Sequence, residues 1–516
     1  MNTNSRLKKS ITNAKVALLF FTINLFLQFF YRKIFLIYLG SEVLGLNTTA
    51  LNFMQFLNLA ELGVGAAVSY SLYKPLAFND YQQLNEIISI QGYLYRKIGV
   101  IIFFAGIILM LFFPIIFSGI KIPLWYTYST FGILFISALI GYFLNYQQIL
   151  LISDQKEYLL NYVTQGTKAL KVILQIASIF LLSNGYLWWL FWEILAIVFT
   201  VRATKHVLKK EYSWLRLNVN LGKELMKKHP DIANKTKQLF THKLAGFALN
   251  ESSPLLIFAF TSLTFMAIYG NYLLVIAGIT ALLSAVFSST NAGVGNLVSE
   301  GNTNKIISIF EELFIVRFYL ASLACYAVYK LTPFFITLWV GNSYLMDNTS
   351  LFLLTIIMFI NLTRLTVDSF LNAYGLFRDI GAPIVELVLN IGLSIFLGYL
   401  FGVDGVLIGA LTSMCLIVLF WKPHFLFTNG FKAKNKIYFT LYGKLIFISL
   451  ISLFITENAL GFIKINNVVS IVSFLKYSTI VIVIFSSTLL CLLLLFTKGM
   501  RHFISRGIIY FNKNII

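Results

Sequence analysis

Apolar runs of about twenty residues alternate with short polar breaks along nearly the whole chain, the length at which an α-helix crosses the hydrocarbon layer of a bilayer. Windows of that length place fourteen spans, at 14–39, 47–72, 97–118, 125–152, 158–182, 186–204, 239–260, 264–290, 313–336, 349–375, 383–402, 405–427, 437–456 and 475–497. The expected fold is all-α and polytopic, because a backbone in lipid satisfies its polar groups within its own helix.

Two short patterns recur. "GVGAAVS" at 63–69 returns as "GVGNLVS" at 293–299, and "NEIISI" at 85–90 returns as "NKIISI" at 304–309, in the same order and at the same place relative to the spans. Duplication of a six-span unit accounts for both. Six is even, so the two copies share one orientation and are related by an axis along the membrane normal. The chain then divides into an N-terminal lobe at 1–205, a basic cytoplasmic linker at 206–238, a C-terminal lobe at 239–430, and two additional C-terminal helices with a basic tail at 431–516. Two such lobes facing each other suit alternating access.

Polar residues deep in a span face a bundle interior or a watery cavity. In span one Asn24, Gln28 and Arg32 follow at i, i+4, i+8, with Lys33 adjacent. Span two carries Asn52, Gln55, Asn58 and Glu61; span five carries Asn161, Gln165, Lys168, Lys171 and Gln175. In span ten Asn361, Arg364, Asp368 and Asn372 lie within about 80° of one another around the helix. Arg32, Lys168, Lys171 and Arg364 are the candidate anion contacts. Glu61, Glu251 and Asp368 are candidates for coupling or charge pairing, and Gln28, Asn58, Gln165, Asn361 and Asn372 for the polar lining. Structural alternatives stand beside these roles. Arg364 and Asp368, one turn apart, could simply neutralise each other, and Lys33 or Arg32 could snorkel to the interface. Lys168 and Lys171 sit too deep for that and have no acid within a turn. Glu251 precedes Pro254, which makes its site a hinge or an ion-binding kink. Glu386 and Asn390, at i, i+4, read as a structural hydrogen bond.

The chain has 516 residues, 58% hydrophobic and 12% charged, too little polar surface for a water-soluble fold. Its formal charge of +20 sits between apolar runs and not on a soluble domain, which argues against nucleic acid as a partner. Arg6, Lys8, Lys9, Lys15, Lys74, Arg96, Lys97, the stretch 202–243, Lys422, Lys432, Lys434, Lys436, Lys498, Arg501, Arg506 and Lys513 all fall on one side if the N-terminus is cytoplasmic; only Lys121, Lys330, Lys464 and Lys476 fall on the other. Both termini are therefore expected inside. The linker lysines also favour anionic headgroups. Cys325, Cys415 and Cys491 are scattered singly, and the five histidines lie in or beside basic loops with no H-E-x-x-H, so no disulfide, metal or triad is expected. The first apolar run lacks a small-residue cleavage site and reads as a membrane helix, not a signal peptide.

"YRKIFLIYLGSEVLGLN" (31–47), "LAELGVGAAVSYSLYKPLAFND" (59–80), "IYGNYLLV" (268–275), "VELVLNIGLSI" (385–395) and "FGVDGVLIGA" (401–410) resemble bacterial polysaccharide exporters of the Wzx O-antigen and capsule flippase type, in the multidrug/oligosaccharidyl-lipid/polysaccharide (MOP) exporter superfamily. The resemblance implies two six-helix lobes plus two further helices. It implies a flippase carrying an undecaprenyl-diphosphate-linked oligosaccharide repeat unit from the cytoplasmic to the outer leaflet of the bacterial inner membrane, with the diphosphate held by basic cavity residues. It further implies a polysaccharide polymerase and a chain-length regulator as partners. Arg32 fits the family's cationic first helix.

No G-x-x-x-x-G-K-[ST] occurs, so ATP is not the expected drive, and no cofactor is expected beyond proton or sodium exchange at Glu61, Asp368 or Glu251. A cation-coupled multidrug-type exporter of the same superfamily is the first rival, expected to hold fewer interior cations and more acids. A membrane polymerase or ligase is the second; it needs a large outer loop, and the outer loops here are short and lack His. Gly63 and Gly65 beside Glu61 suggest close approach of a neighbouring helix. The second copy keeps the glycines, as Gly293 and Gly295, but has Asn291 where Glu61 stands.

Overall fold

A computed structural model describes the backbone of residues 3–61, 63–376, 379, 381–462 and 470–515, and the side chains of these except 3–7, 59–60, 238–251 and 507–515. Helices dominate, and among the described residues nine helical stretches are long and apolar enough to cross a membrane. The chain forms two compact units, Met1–Ala267 and Ile268–Ile516.

The first unit contains α1 (Thr3–Leu57), α2 (Val64–Phe78), α3 (Tyr81–Leu111), α4 (Phe113–Ile116), α5 (Leu124–Leu144), α6 (Ile149–Ser153), α7 (Glu157–Leu181), α8 (Gly185–Glu211), α9 (Gly222–Lys228) and α10 (Pro230–Ala259). The unit boundary cuts α11 (Leu263–Ser288) near its start. The second unit continues with α12 (Asn291–Ser299), α13 (Thr303–Trp339), α14 (Asn348–Ala373), α15 (Gly381–Met414), α16 (Lys422–Phe425), α17 (Lys436–Phe462), α18 (Ile471–Phe496) and α19 (Lys498–Ile515). Each of the fourteen expected spans overlaps these helices, span two (47–72) dividing between α1 and α2, span three (97–118) between α3 and α4, and span four (125–152) between α5 and α6. α10, expected to open the second lobe, packs on α1 and α2 within the first unit.

The connections differ from a simple span-and-loop reading. Spans one and two join without a loop, through a bend at Gly40 with φ 85°, ψ 167°. Spans eleven and twelve join in the same way at Gly402, φ 59°, ψ −131°. Both conformations lie where an L side chain is strained, which is why a glycine and no polar loop marks each reversal.

Both units share one local plan where the sequence repeats. In the first, α1 ends in the 3-10 turn Asn58–Glu61, then α2 runs to Asn79, which is left-handed, and Asp80 caps α3 by accepting from Gln83 N. In the second, α11 breaks after Ser288, α12 runs to a left-handed Gly301, and Asn302 caps α13 by accepting from Lys305 N. Each cap satisfies one orphan N–H of a long helix.

The first core gathers Val68 and Leu72 of α2, Ile88 and Ile102 of α3, Phe131 and Phe135 of α5, and Leu150. In the second, Phe310, Phe314 and Phe318 repeat every four residues along α13 and meet Phe370, Phe427, Phe431 and Tyr438, with Phe485 of α18 in the same cluster. Phe310 and Phe370 meet edge-on at 5.3 Å. This aromatic row fastens the two additional helices, α17 and α18, to α13. Large apolar side chains such as Phe30, Phe104, Phe180, Phe396 and Leu495 point outward, as they do against hydrocarbon.

The connection between α8 and α10 is folded. Ser89 Oγ accepts from Asn218 N (3.0 Å), Asn85 Oδ1 from Arg216 N (2.6 Å), and Glu86 takes Lys228 Nζ (2.7 Å) and faces His229 Nε2 (2.8 Å). Gly222 lies so close to Tyr93 that a Cβ there would come within 2.3 Å of the tyrosine Cβ. The segment expected as a linker is thus a rider on α3.

Candidate coupling and anion sites within the two units

Glu61 sits in the 3-10 turn that follows α1, and two tyrosines from other helices reach it. Tyr95 of α3 donates to Oε1, and Tyr142 of α5 donates to Oε2 at 3.1 Å and to Asn58 Oδ1 at 2.9 Å. The Glu61 carboxylate is thus held by two neutral hydroxyl donors, one from α3 and one from α5. Gly63 takes φ 93° just after it, so this glycine serves the turn. A Cβ on Gly65 would lie 3.4 Å from the Tyr95 hydroxyl, whereas Gly293 and Gly295 face open space within the described structure. Close helix approach therefore accounts for Gly65, and the second pair meets no such neighbour among the described residues.

Arg32 on α1 donates from Nη2 to the Ala267 carbonyl, 3.1 Å away. Gln28, one turn earlier, is half-buried, and Asn24 donates to Gln165 Oε1 at 3.3 Å, tying α1 to α7. Lys171 of α7 meets Glu193 of α8 at 2.8 and 2.9 Å, and Gln175 donates to the same carboxylate at 3.0 Å. Lys171 has no acid within a turn of its own helix, and its partner comes from across the α7–α8 packing. Lys168, one turn away, makes no ion pair among the described residues. Trp189 Nε1 donates to Tyr31 Oη at 2.8 Å, and Gln175 reaches the Trp189 carbonyl, so this network runs on to α1. The side chain of Glu251 lies outside the described residues.

In the second unit Arg364 Nε donates to Asp368 Oδ2 at 3.1 Å and Nη1 reaches Asn361 Oδ1 at 3.5 Å. Lys422 stands 3.8 Å from Asp368 Oδ1. The stripe is thus one connected group, with Asn372 exposed a turn beyond. Glu386 and Asn390, both about 1% exposed, do not form the expected pair: Glu386 Oε1 and Asn390 Oδ1 each lack a hydrogen-bond partner. Arg317, 3% exposed, caps the broken end of α11 by donating to the Phe287 carbonyl (2.8 Å) and Thr290 Oγ1 (2.7 Å).

Sequence reasoning missed Tyr95, Tyr142, Lys422 and Arg317, which carry no periodic relation to the residues they meet. Glu193 did carry a signal. It is the single acid in the run "YLWWLFWEILAIVF" (186–199), and a lone acid in such a run demands a partner.

No family model matches the chain, and no curated protein matches it in sequence. Solved structures do match in fold. An inward-facing multidrug resistance MATE family transporter of the MOP superfamily superposes with a TM-score of 0.59 at 15% identity, covering 78% of this chain and 94% of that one. Lipid II flippase MurJ, in an inward closed conformation, superposes with a TM-score of 0.63 at 16% identity, covering 92% of this chain and 98% of that one. The chain therefore has the fold of a polytopic membrane transporter. More narrowly, it is the fold shared by these MOP-superfamily exporters and the lipid II flippase.

Proposed function

We propose that this protein translocates an anionic, lipid-linked oligosaccharide, of the undecaprenyl-diphosphate type, from the cytoplasmic to the outer leaflet of a bacterial inner membrane by alternating access. The observation that carries the reading is the extent of the flippase match. The unmatched 8% of 516 residues is about 41 residues, fewer than the 86 in 431–516, so the match takes in part of the two additional helices. Arg32 and Arg364 meet the diphosphate in this proposal, and Glu61, Asp368 and Glu251 carry proton or sodium exchange. Outward movement of each negative charge is favoured by about 2.3 kcal/mol per 100 mV. The O-antigen or capsule pathway, with its polymerase and chain-length regulator, is the setting proposed.

A multidrug-type exporter is the second reading, favoured by the MATE superposition. The deciding experiment uses a strain that depends on this protein for surface glycan. Arg32→Ala and Arg364→Ala proteins that reach the membrane should leave lipid-linked repeat units accumulated on the inner leaflet. Single repeats displayed outside would overturn the reading, and a drug-efflux defect with normal glycan would install the rival.

A further inference from the structure

Between α5, α7 and α8 of the first unit lies a pocket of about 240 Å³, lined among others by Ser137, Thr164, Thr167, Lys168, Lys171 and Thr200, with Glu193 in its wall. It lies at mid-helix: Lys168 and Lys171 fall in the middle of the 25-residue α7. Two lysines against one carboxylate leave a net charge of +1 there, and Glu193 is already engaged by Lys171 and Gln175. Thr167, only 7% exposed, has a buried hydroxyl with no hydrogen-bond partner, a donor left for a ligand. An uncompensated cation at mid-membrane depth is costly, as is an unused buried hydroxyl.

We infer that this pocket is a binding site for a small monovalent inorganic anion of the halide class, held by the Lys168 ammonium and the surrounding hydroxyls. Charge selects the ion: one negative charge brings the pocket to neutrality, whereas a phosphate dianion would leave it at −1. Size selects against larger organic anions, because sites for molecules of even drug size run from about 300 Å³ upward. The inference stands on the pocket and does not depend on the flippase reading, since it concerns binding in a resting protein.

The test is thermal unfolding of the full-length protein in nanodiscs of zwitterionic lipid, in sodium gluconate, titrated with sodium bromide. A bound ion gives a saturable rise in the unfolding midpoint. Lys168→Met should abolish it while Lys168→Arg keeps it. Glu193→Gln, which removes the competing negative charge, should tighten bromide binding by about tenfold. In crystals grown in bromide the anomalous signal should fall between α5, α7 and α8. Absence of a saturable bromide effect in the native protein overturns the inference, as does weaker binding in Glu193→Gln. Stabilisation by inorganic phosphate at lower concentration than bromide, lost in Lys168→Met, also overturns it and hands Lys168 to a phosphoryl group. A glycan-assembly result against the flippase leaves all of these readouts unchanged.

Discussion

Glu61 shows what a single side chain can control. Its two tyrosine donors come from α3 and α5, so one carboxylate joins three elements. Tyr142→Phe removes a hydrogen bond to a charged group and leaves Asn58 Oδ1 without that donor; the expected loss is about 1.5–3 kcal/mol in reversible unfolding. Glu61→Gln should flatten the pH dependence of transport if this carboxylate carries the exchanged proton; export with an unchanged pH and ion profile would reduce it to a structural partner. The Lys171–Glu193 pair makes a second residue-level prediction. Its side chains are only 20% and 12% exposed, so Lys171→Met strands a carboxylate at a cost of about 3 kcal/mol, and adding Glu193→Gln should recover most of the loss. Intrahelical stripes such as Asn361–Arg364–Asp368 were legible because helical spacing alone brings them together. Glu193, Tyr95 and Lys422 meet their partners across helices, and periodicity carries no information about which helix packs on which.

At the scale of elements, Asp154 in the turn between α6 and α7 works as a clasp. Lys9 of α1 (3.2 Å), Lys156 (2.8 Å) and Tyr212 beyond the end of α8 (3.0 Å) converge on its carboxylate. Burial by itself would raise the carboxyl; the hydrogen bonds and charges of Lys156 and Lys9, with Tyr212, outweigh it and hold it below its ordinary 3.8. A lowered carboxyl binds its proton more weakly folded than unfolded. The clasp thus contributes its full stability above pH 3.8 and loses it as pH falls from there through the folded value. Hydrogen exchange of 149–158 should accelerate over that window, and in Asp154→Asn it should be fast already at neutral pH. Gly402 tests a different kind of joint. Alanine there meets nothing within 4 Å, so the cost of Gly402→Ala is the backbone strain of φ 59°, ψ −131° alone, about 1–3 kcal/mol. The sequence showed two apolar runs with a glycine between them, and an allowed loop of two residues fitted as well as a bend; only the backbone angles distinguish them.

For the whole molecule, hydropathy made nearly all of the architecture readable, since lipid requires each spanning backbone to be a helix, and the repeated "GVG" and "IISI" words marked the shared plan of break, short helix and capped long helix. Which unit α10 packs with was not readable, because a helix apolar enough for lipid says nothing about its neighbours. The aromatic row Phe310, Phe314 and Phe318 ties α17 and α18 into the core of the second unit. Truncation after residue 431 should therefore uncover a wide apolar face and lower the level of folded protein in membranes, as read by size-exclusion after mild extraction, rather than yield a working twelve-helix form. The folded segment between α8 and α10 has a consequence of another kind. It holds eight lysines and arginines between 206 and 238, which to trypsin is an inviting stretch of chain, yet Lys228 is held on Glu86 and the backbone at 216 and 218 is bonded to α3. Inverted vesicles should therefore resist cleavage at Lys228, and Glu86→Ala should open that site first, turning a protease ladder into a map of how firmly the rider sits.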